Sequence, residues 1–348
     1  MNKPLNFALV GCGVIAPCHA RCIAELENAR LVAVCDTVEA KARKLAETYP
    51  ADVYTSYHEL FQRDDIDIVS VLTPSGLHAE VGIAAARSGK HVIVEKPMDV
   101  SLAKADALIE ACRQSGVKLC CISQHRFDPA VQDLKLAIAD GKLGQLNFCG
   151  AYTHWYRAQS YYDSGDWRGT WALDGGGALM NQSIHYVDLL QYVMGPVEEV
   201  YARTAALAHV RIEVEDIAVA TVKFRSGAVG VIEGMTLAFP GFCARLEVFG
   251  EDGGVIIEND QVKEWQLRSG EKYDRPPTEA HLIVGTTSAD IWHHSHRRQI
   301  AEMMQAVWEG REPLCNGSEG REPLEIVLAI YQSARTQRPV KFPLSDEA

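Results

Sequence analysis

The chain has 348 residues, 47% of them apolar, and a net charge of −12. That is long enough for two domains, composed like a soluble globular protein, and too acidic for an extended basic face against nucleic acid. No apolar run approaches a membrane span, and the opening MNKPLNFALVGCG goes straight into a strand without an apolar leader. Neither nucleic acid nor membrane is therefore expected as a partner, and a cytoplasmic location is. The ten cysteines include no CxxC pair and read as reduced, mostly buried thiols.

In chain order, the first 125 residues alternate apolar runs with helix-like segments. The runs are FALV (7–10), LVAVC (31–35), DVY (52–54), DIVSVL (67–72), HVIVE (91–95) and KLCCI (118–122). Segments 38–48, 75–88 and 101–115 between them space their apolar residues as helices do. This rhythm predicts an α/β, doubly wound Rossmann domain over residues 1–125, a parallel sheet covered on both faces. Beyond residue 145 the texture becomes that of successive strands, at 147–156, 200–207, 216–224, 228–237, 244–250 and 254–260, with turns at RSG and EDGG. Residues 126–348 are thus expected to form an α+β substrate-binding and oligomerisation domain. It would contain a large, mostly antiparallel open sheet and close on helices at 295–310 and 321–335.

GCGVIA (11–16) follows the first strand and opens a helix. Gly11 permits the tight turn, Gly13 lets the main chain approach a pyrophosphate, Val14 and Ile15 line the loop, and the small Ala16 lets helix pack on strand. The helix N-terminus adds N–H groups and a positive dipole for the phosphates. Asp36, closing the second strand, could accept from the adenosine ribose hydroxyls and repel a 2′-phosphate. That favours NAD over NADP, although Lys41 and Arg43 downstream keep NADP possible; the plainer alternative is that Asp36 caps the next helix. Thr73, Pro74 and His78 in TPSGLH lie at the end of the fourth strand, where a dinucleotide crevice opens, and are candidate cofactor contacts without a catalytic role.

HVIVE runs into Lys96 and Pro97. Lysine is seldom buried and proline cannot donate to a sheet, so the strand stops to present Lys96, aimed by Glu95 and Pro97. A cis Lys96–Pro97 bond is one way to make the turn. In GGGALMNQSIHYVDLL (175–190), Asn181 and His185 are four apart, on one face of an expected helix, with Asp188 three further on. With Lys96 they would make a proton-transfer and hydroxyl-positioning site. Taken alone, His185 reads equally as a core histidine.

GCGVIA, TPSGLH, VEKPM, QHRF and GGGALMNQSIHYVDLL, in this order and spacing, resemble the Gfo/Idh/MocA family of nicotinamide-dependent sugar and cyclitol dehydrogenases across nearly the whole chain. The resemblance implies that Lys96, Asn181 and His185 flank the nicotinamide and the reacting carbinol, and that the enzyme works as a homodimer or homotetramer. Most members carry Asp at the position of Asn181. Asn cannot relay a proton, which leaves His185 or Lys96 as the base. The segment HWYRAQSYYDSGDWRGTWALDGGG (154–177) most resembles the branch that oxidises C3 of UDP-N-acetylglucosaminuronate, with levoglucosan and inositol dehydrogenases as rivals. Substrate contacts are then expected from Arg126, Tyr156, Trp167 and Arg168, besides Asn181 and His185, with an arginine reading a carboxylate or phosphate. An NAD-recycling lyase or glycosidase, or a dinucleotide-binding regulator without turnover, are the alternatives in function. His293 and His296 could share a helical face, but nothing completes a ligand set, and no metal is expected.

Overall fold

The computed structural model describes residues 3–275 and 293–344. Two compact units emerge, one of residues 1–124 with 287–321, the other of 125–286 with 322–348.

The first unit is built from β1 (Leu5–Val10), α1 (Ala16–Ala24), β2 (Ala29–Cys35), α2 (Glu39–Thr48), β3 (Asp52–Tyr54), α3 (Tyr57–Leu60), β4 (Ile68–Val71), α4 (His78–Arg87), β5 (His91–Val94), α5 (Leu102–Ser115) and β6 (Leu119–Cys121). The six strands run parallel in the order β3-β2-β1-β4-β5-β6, so the chain reverses direction across the sheet between β1 and β4. β4 is buried throughout, as strands covered on both faces are. α5 starts where the Ser101 hydroxyl accepts from the Lys104 N–H and stops at Gly116, φ 67°.

In the second unit come α6 (Pro129–Ala139), β7 (Leu146–His154), α7 (Gln159–Tyr162), a π-helical turn (Ala178–Ser183), α8 (Ile184–Met194) and β8 (Val197–Ala205). β9 (Ile217–Phe224), β10 (Val229–Met235), β11 (Ala244–Gly250), β12 (Gly253–Glu258) and β13 (Gln261–Leu267) follow. α9 (His294–Glu309) returns to the first unit, and α10 (Gly317–Thr336) precedes β14 (Val340–Lys341). The eight-stranded sheet has the order β13-β12-β11-β7-β10-β9-β8-β14 and is antiparallel except where β7 meets β10. β9 alternates buried and exposed residues, so one face is covered, and α8 packs on β7 and β11.

Two expectations are corrected. Residues 287–321 belong with the first unit although they follow the second sheet in sequence, because α9 lays its buried face, including His296, Gln299, Ile300 and Met303, along α1 and β6. The expected strand at 254–260 ends at Glu258: Asn259 and Asp260 take positive φ (47° and 65°) and turn the chain into β13. All ten cysteines are free, as read. No described helix is long and apolar enough to cross a membrane.

Candidate active site

At the end of β1 the conformation of Gly11 is compulsory: φ is +97°, and a Cβ would lie 2.5 Å from the Leu72 carbonyl oxygen. Gly13 is exposed, with no heavy atom within 4 Å of where its Cβ would stand, so its main chain is bare to an approaching group. Val14 is exposed and Ile15 precedes α1 as its N-cap. Asp36 closes the loop from β2: Oδ2 accepts the Cys12 N–H at 2.8 Å and Oδ1 the Val38 N–H at 2.8 Å. It therefore ties glycine loop to strand rather than capping α2, whose N-cap is Val38. At the end of β4, Thr73 Oγ1 is buried without a hydrogen-bond partner beside Pro74. A bare main chain, a helix N-terminus, a carboxylate at the end of β2 and an orphaned hydroxyl are donors and acceptors that fit a dinucleotide.

Two buried clusters hold the turn at the end of β5. Glu95 Oε1 lies 3.0 Å from His19 Nε2 and 3.7 Å from His296 Nε2, while Oε2 accepts the Lys96 N–H at 3.0 Å. Burial works against the Glu95 charge, yet the two imidazoles hold its carboxyl well below the ordinary range. The Lys96–Pro97 peptide is cis. His78 is 1% exposed; Nδ1 is 2.7 Å from the Pro97 carbonyl oxygen and Nε2 is 2.9 Å from that of Thr73. Both its ring nitrogens are thus engaged by main chain, and it fixes the two loops to each other instead of reaching outward. Lys96 itself is half-buried between these anchored neighbours. His293 pairs with Glu25 at 2.8 Å, so it and His296 serve different carboxylates and do not converge.

In the second unit, Asn181 stands in the π-turn and His185 is the second residue of α8. The wide turn, not the continuous α-helix expected, sets their relative direction. Glu215 makes it possible: Oε2 accepts the Gly177 N–H at 3.0 Å, and Oε1 accepts the Leu179 N–H at 2.8 Å and the Tyr331 hydroxyl at 3.0 Å. Burial raises the Glu215 carboxyl to about 7 against these three donors. Gly177 has no room for a side chain, since its Cβ would fall 1.8 Å from the Glu215 carbonyl oxygen.

Around Asn181 lies a cluster in which the expected Trp167 and Arg168 are joined by Arg157, Tyr161, Asp174 and Gln182. Asn181 Nδ2 donates to Asp174 Oδ1 at 2.6 Å, and Gln182 Nε2 donates to Asn181 Oδ1 at 3.0 Å and to the Tyr161 hydroxyl at 2.9 Å. Arg168 donates to the same hydroxyl at 2.6 Å and stacks over Tyr161 (4.3 Å) and Trp167 (4.6 Å). Arg157 donates to Gln182 Oε1 at 2.9 Å and lies over Trp155 (5.4 Å) and Tyr161 (5.6 Å). Arg157 is 8% exposed, and burial lowers its proton affinity. Among the described residues neither guanidinium is paired with a carboxylate. A buried cation such as Arg157 is costly unless an anion completes it, and the half-buried Arg168 stands beside it.

Two expected contacts fall elsewhere. Arg126 is 3% exposed and forked onto Asp188 (2.9 and 2.7 Å) over the Tyr192 ring; it braces α8 and is not presented to a ligand. Tyr156 packs edge-on against exposed Phe239. Along an extended segment, alternate side chains point oppositely, so Trp155 and Arg157 take the cluster side and Tyr156 the other. That alternation was the available signal for Arg157. Nothing local marks Asp174, Gln182 or Glu215.

Residues 5–123 match the oxidoreductase family model described as an NAD-binding Rossmann fold, and residues 131–256 match the GFO/IDH/MocA C-terminal domain. The WlbA dehydrogenase of Bordetella pertussis, solved in complex with NADH and UDP-GlcNAcA, is 34% identical, with a TM-score of 0.87 over 99% of this chain and 100% of that one. The myo-inositol 2-dehydrogenase of Thermotoga maritima is 29% identical, covering 97% of this chain and 98% of its own. The levoglucosan dehydrogenase of Pseudarthrobacter phenanthrenivorans is 26% identical, with 76% of each chain covered.

Proposed function

This chain belongs to the GFO/IDH/MocA family of NAD-dependent oxidoreductases, and from that premise we propose that its substrate is a sugar uronate, carried on a nucleoside diphosphate and oxidised at a ring carbinol, C3. The single observation that carries the uronate is the pair Arg157 and Arg168, gathered about Tyr161 beside Asn181 without a carboxylate partner among the described residues. A planar guanidinium held over aromatic rings is pre-organised for a carboxylate. A neutral cyclitol or anhydrosugar offers it nothing to pair with. The likeness to a relative solved with UDP-GlcNAcA agrees with this chemistry.

The enzyme is a dehydrogenase acting on CH–OH, and NAD supplies the hydride acceptor. Gly11, Gly13, Ile15, Asp36, Thr73 and Pro74 are the residues we assign to holding it. Of the groups that could take the hydroxyl proton, His185 is the better base, because an ordinary lysine ammonium has no free pair at neutral pH. Lys96 then orients the hydroxyl and stabilises developing negative charge on its oxygen. Asn181, its amide nitrogen committed to Asp174, positions substrate without moving a proton. The outward sheet face, with Val219, Val229 and Phe249 exposed, supports a homodimer or homotetramer, which light scattering would register as two or four chain masses.

The test is turnover of NAD with a nucleotide-linked uronate and with its uncharged parent, followed by NADH absorbance and product analysis. Net NADH accumulation with the uronate is the expected result. Preference for the neutral compound would promote the inositol- or levoglucosan-type reading, and product without net NADH would promote an NAD-recycling lyase or glycosidase.

A further inference from the structure

A second histidine stands against His185. The ring centroids of His125 and His185 are 5.2 Å apart at 79°, edge to face. His125 lies in the short turn before α6 and is 9% exposed. Its Nδ1 is 2.7 Å from Asp128 Oδ2 and 3.0 Å from Asp260 Oδ1. Asp260 comes from far along the chain, delivered by the left-handed turn that ends β12. The Tyr186 hydroxyl, next to His185 on α8, reaches the same Asp260 oxygen at 3.5 Å. Three separate segments thus converge beside His185, and none of this follows from the reaction chemistry of His185 itself.

These three ligand-type side chains also lie close enough to clasp an ion. The spacing argues for shared protons: a nitrogen 2.7 Å from an oxygen is a charge-assisted hydrogen bond, while donors around a metal at about 2.1 Å each sit farther apart. Burial opposes charge on His125, yet the Asp260 and Asp128 carboxylates hold its proton affinity well above the usual histidine value. Of the other titratable groups, the Tyr186 hydroxyl is held by Asp260 and lies near the Cys243 thiol, and Arg126, next to His125 in the chain, is balanced by Asp188.

We propose that His125, clamped by Asp128 and Asp260, is a positioning residue for His185: its ring fixes the orientation of the His185 imidazole, and the charge balance of the clamp sets the pH range in which His185 accepts a proton. The inference rests on His185 being the base. A positive neighbour makes protonation of His185 harder, and a negative one makes it easier. Removing each must therefore act with opposite sign, which loosened packing cannot imitate.

The experiment is the pH dependence of kcat/KM for the full-length enzyme with saturating NAD, in wild type, His125→Gln, Asp260→Asn and His185→Asn, with NADH affinity as a check on the folded state. Asn tolerates the positive φ at position 260, so that variant keeps the turn. The acid limb should move up by about one pH unit in His125→Gln, as for a unit charge some 5 Å away in a partly solvated site, and down by a smaller amount in Asp260→Asn. It should vanish from the residual rate of His185→Asn. A limb that His185→Asn removes, but that the other two variants leave in place or move in one direction, overturns the role of His125. A limb that survives in His185→Asn overturns the assignment of the base itself, and the inference with it.

Discussion

The two units carry their chemistry in opposite ways. In the first, each assigned group sits at or just past the carboxyl end of a parallel strand, where one or two buried side chains hold the turn: Glu95, itself held by His19 and His296, takes the Lys96 N–H, and Asp36 takes the Cys12 N–H of the glycine loop. In the second, the cluster at Asn181 joins residues 157, 161, 168, 174 and 182, and the turn beneath it depends on Glu215 and Tyr331. A parallel sheet collects function at one edge by construction. An open antiparallel sheet offers only a floor, and loops must meet over it through side-chain hydrogen bonds. Substitutions in the first unit should therefore separate binding from chemistry, and those in the second should couple chemistry to stability.

The largest effect expected is that of Lys96→Ala. Turnover should fall by roughly 10²–10⁴-fold while NADH binding, measured by fluorescence titration, stays near the wild-type affinity. Loss of binding in step with turnover would erase the separation claimed for the first unit.

Next comes Glu215→Gln, which probes the coupling claimed for the second. The Glu215 carboxyl is raised from 4.5 to about 7 in the folded protein, so the native state binds the extra proton. Its contribution to stability is full below the unfolded value and is lost as pH rises through about 7, a swing of roughly 3 kcal/mol at most. Denaturant unfolding at pH 5 and pH 8 should show a shallower decline in the variant than in wild type, at lower absolute stability. Parallel declines would mean that Glu215 stays ionised throughout.

The smallest effect belongs to Asp36→Asn. The amide oxygen can keep one of the two main-chain bonds from Cys12 and Val38, so the loop survives, but the charge opposite a 2′-phosphate is gone. Preference for NAD over NADP should narrow by about tenfold, the worth of roughly 1–2 kcal/mol in a partly solvated like-charge contact. An unchanged preference would leave Asp36 with the loop alone.

The same contrast explains what could be read in advance. Apolar runs bounded by helical segments placed all six strands of the first sheet, because burial on both faces leaves a continuous apolar signature. GCGVIA and EKP announce themselves because each is a contiguous run at the end of a strand, although His19 and His296, which hold Glu95, are remote in sequence. Arg126 misled because a forked partner, Asp188, stands 62 residues away and no local pattern reveals it. Asp260 was hidden inside an expected strand, because Asn-Asp turns of positive φ resemble a strand's polar end until the register of β12 and β13 is known. The π-turn under Asn181 has no sequence period of its own; it exists because a buried carboxylate 36 residues from Leu179 takes its N–H groups.

One comparison of specificity constants decides whether Arg157 and Arg168 read a carboxylate. Wild type, Arg157→Lys and Arg168→Lys are each assayed with a nucleotide-linked uronate and with its uncharged parent sugar. Wild type should prefer the uronate, and either substitution should lower its use by roughly 10–100-fold, since a charge-assisted fork is worth about 1.5–3 kcal/mol, with the neutral sugar little changed. A wild-type preference for the neutral sugar, or equal losses on both substrates, would contradict it.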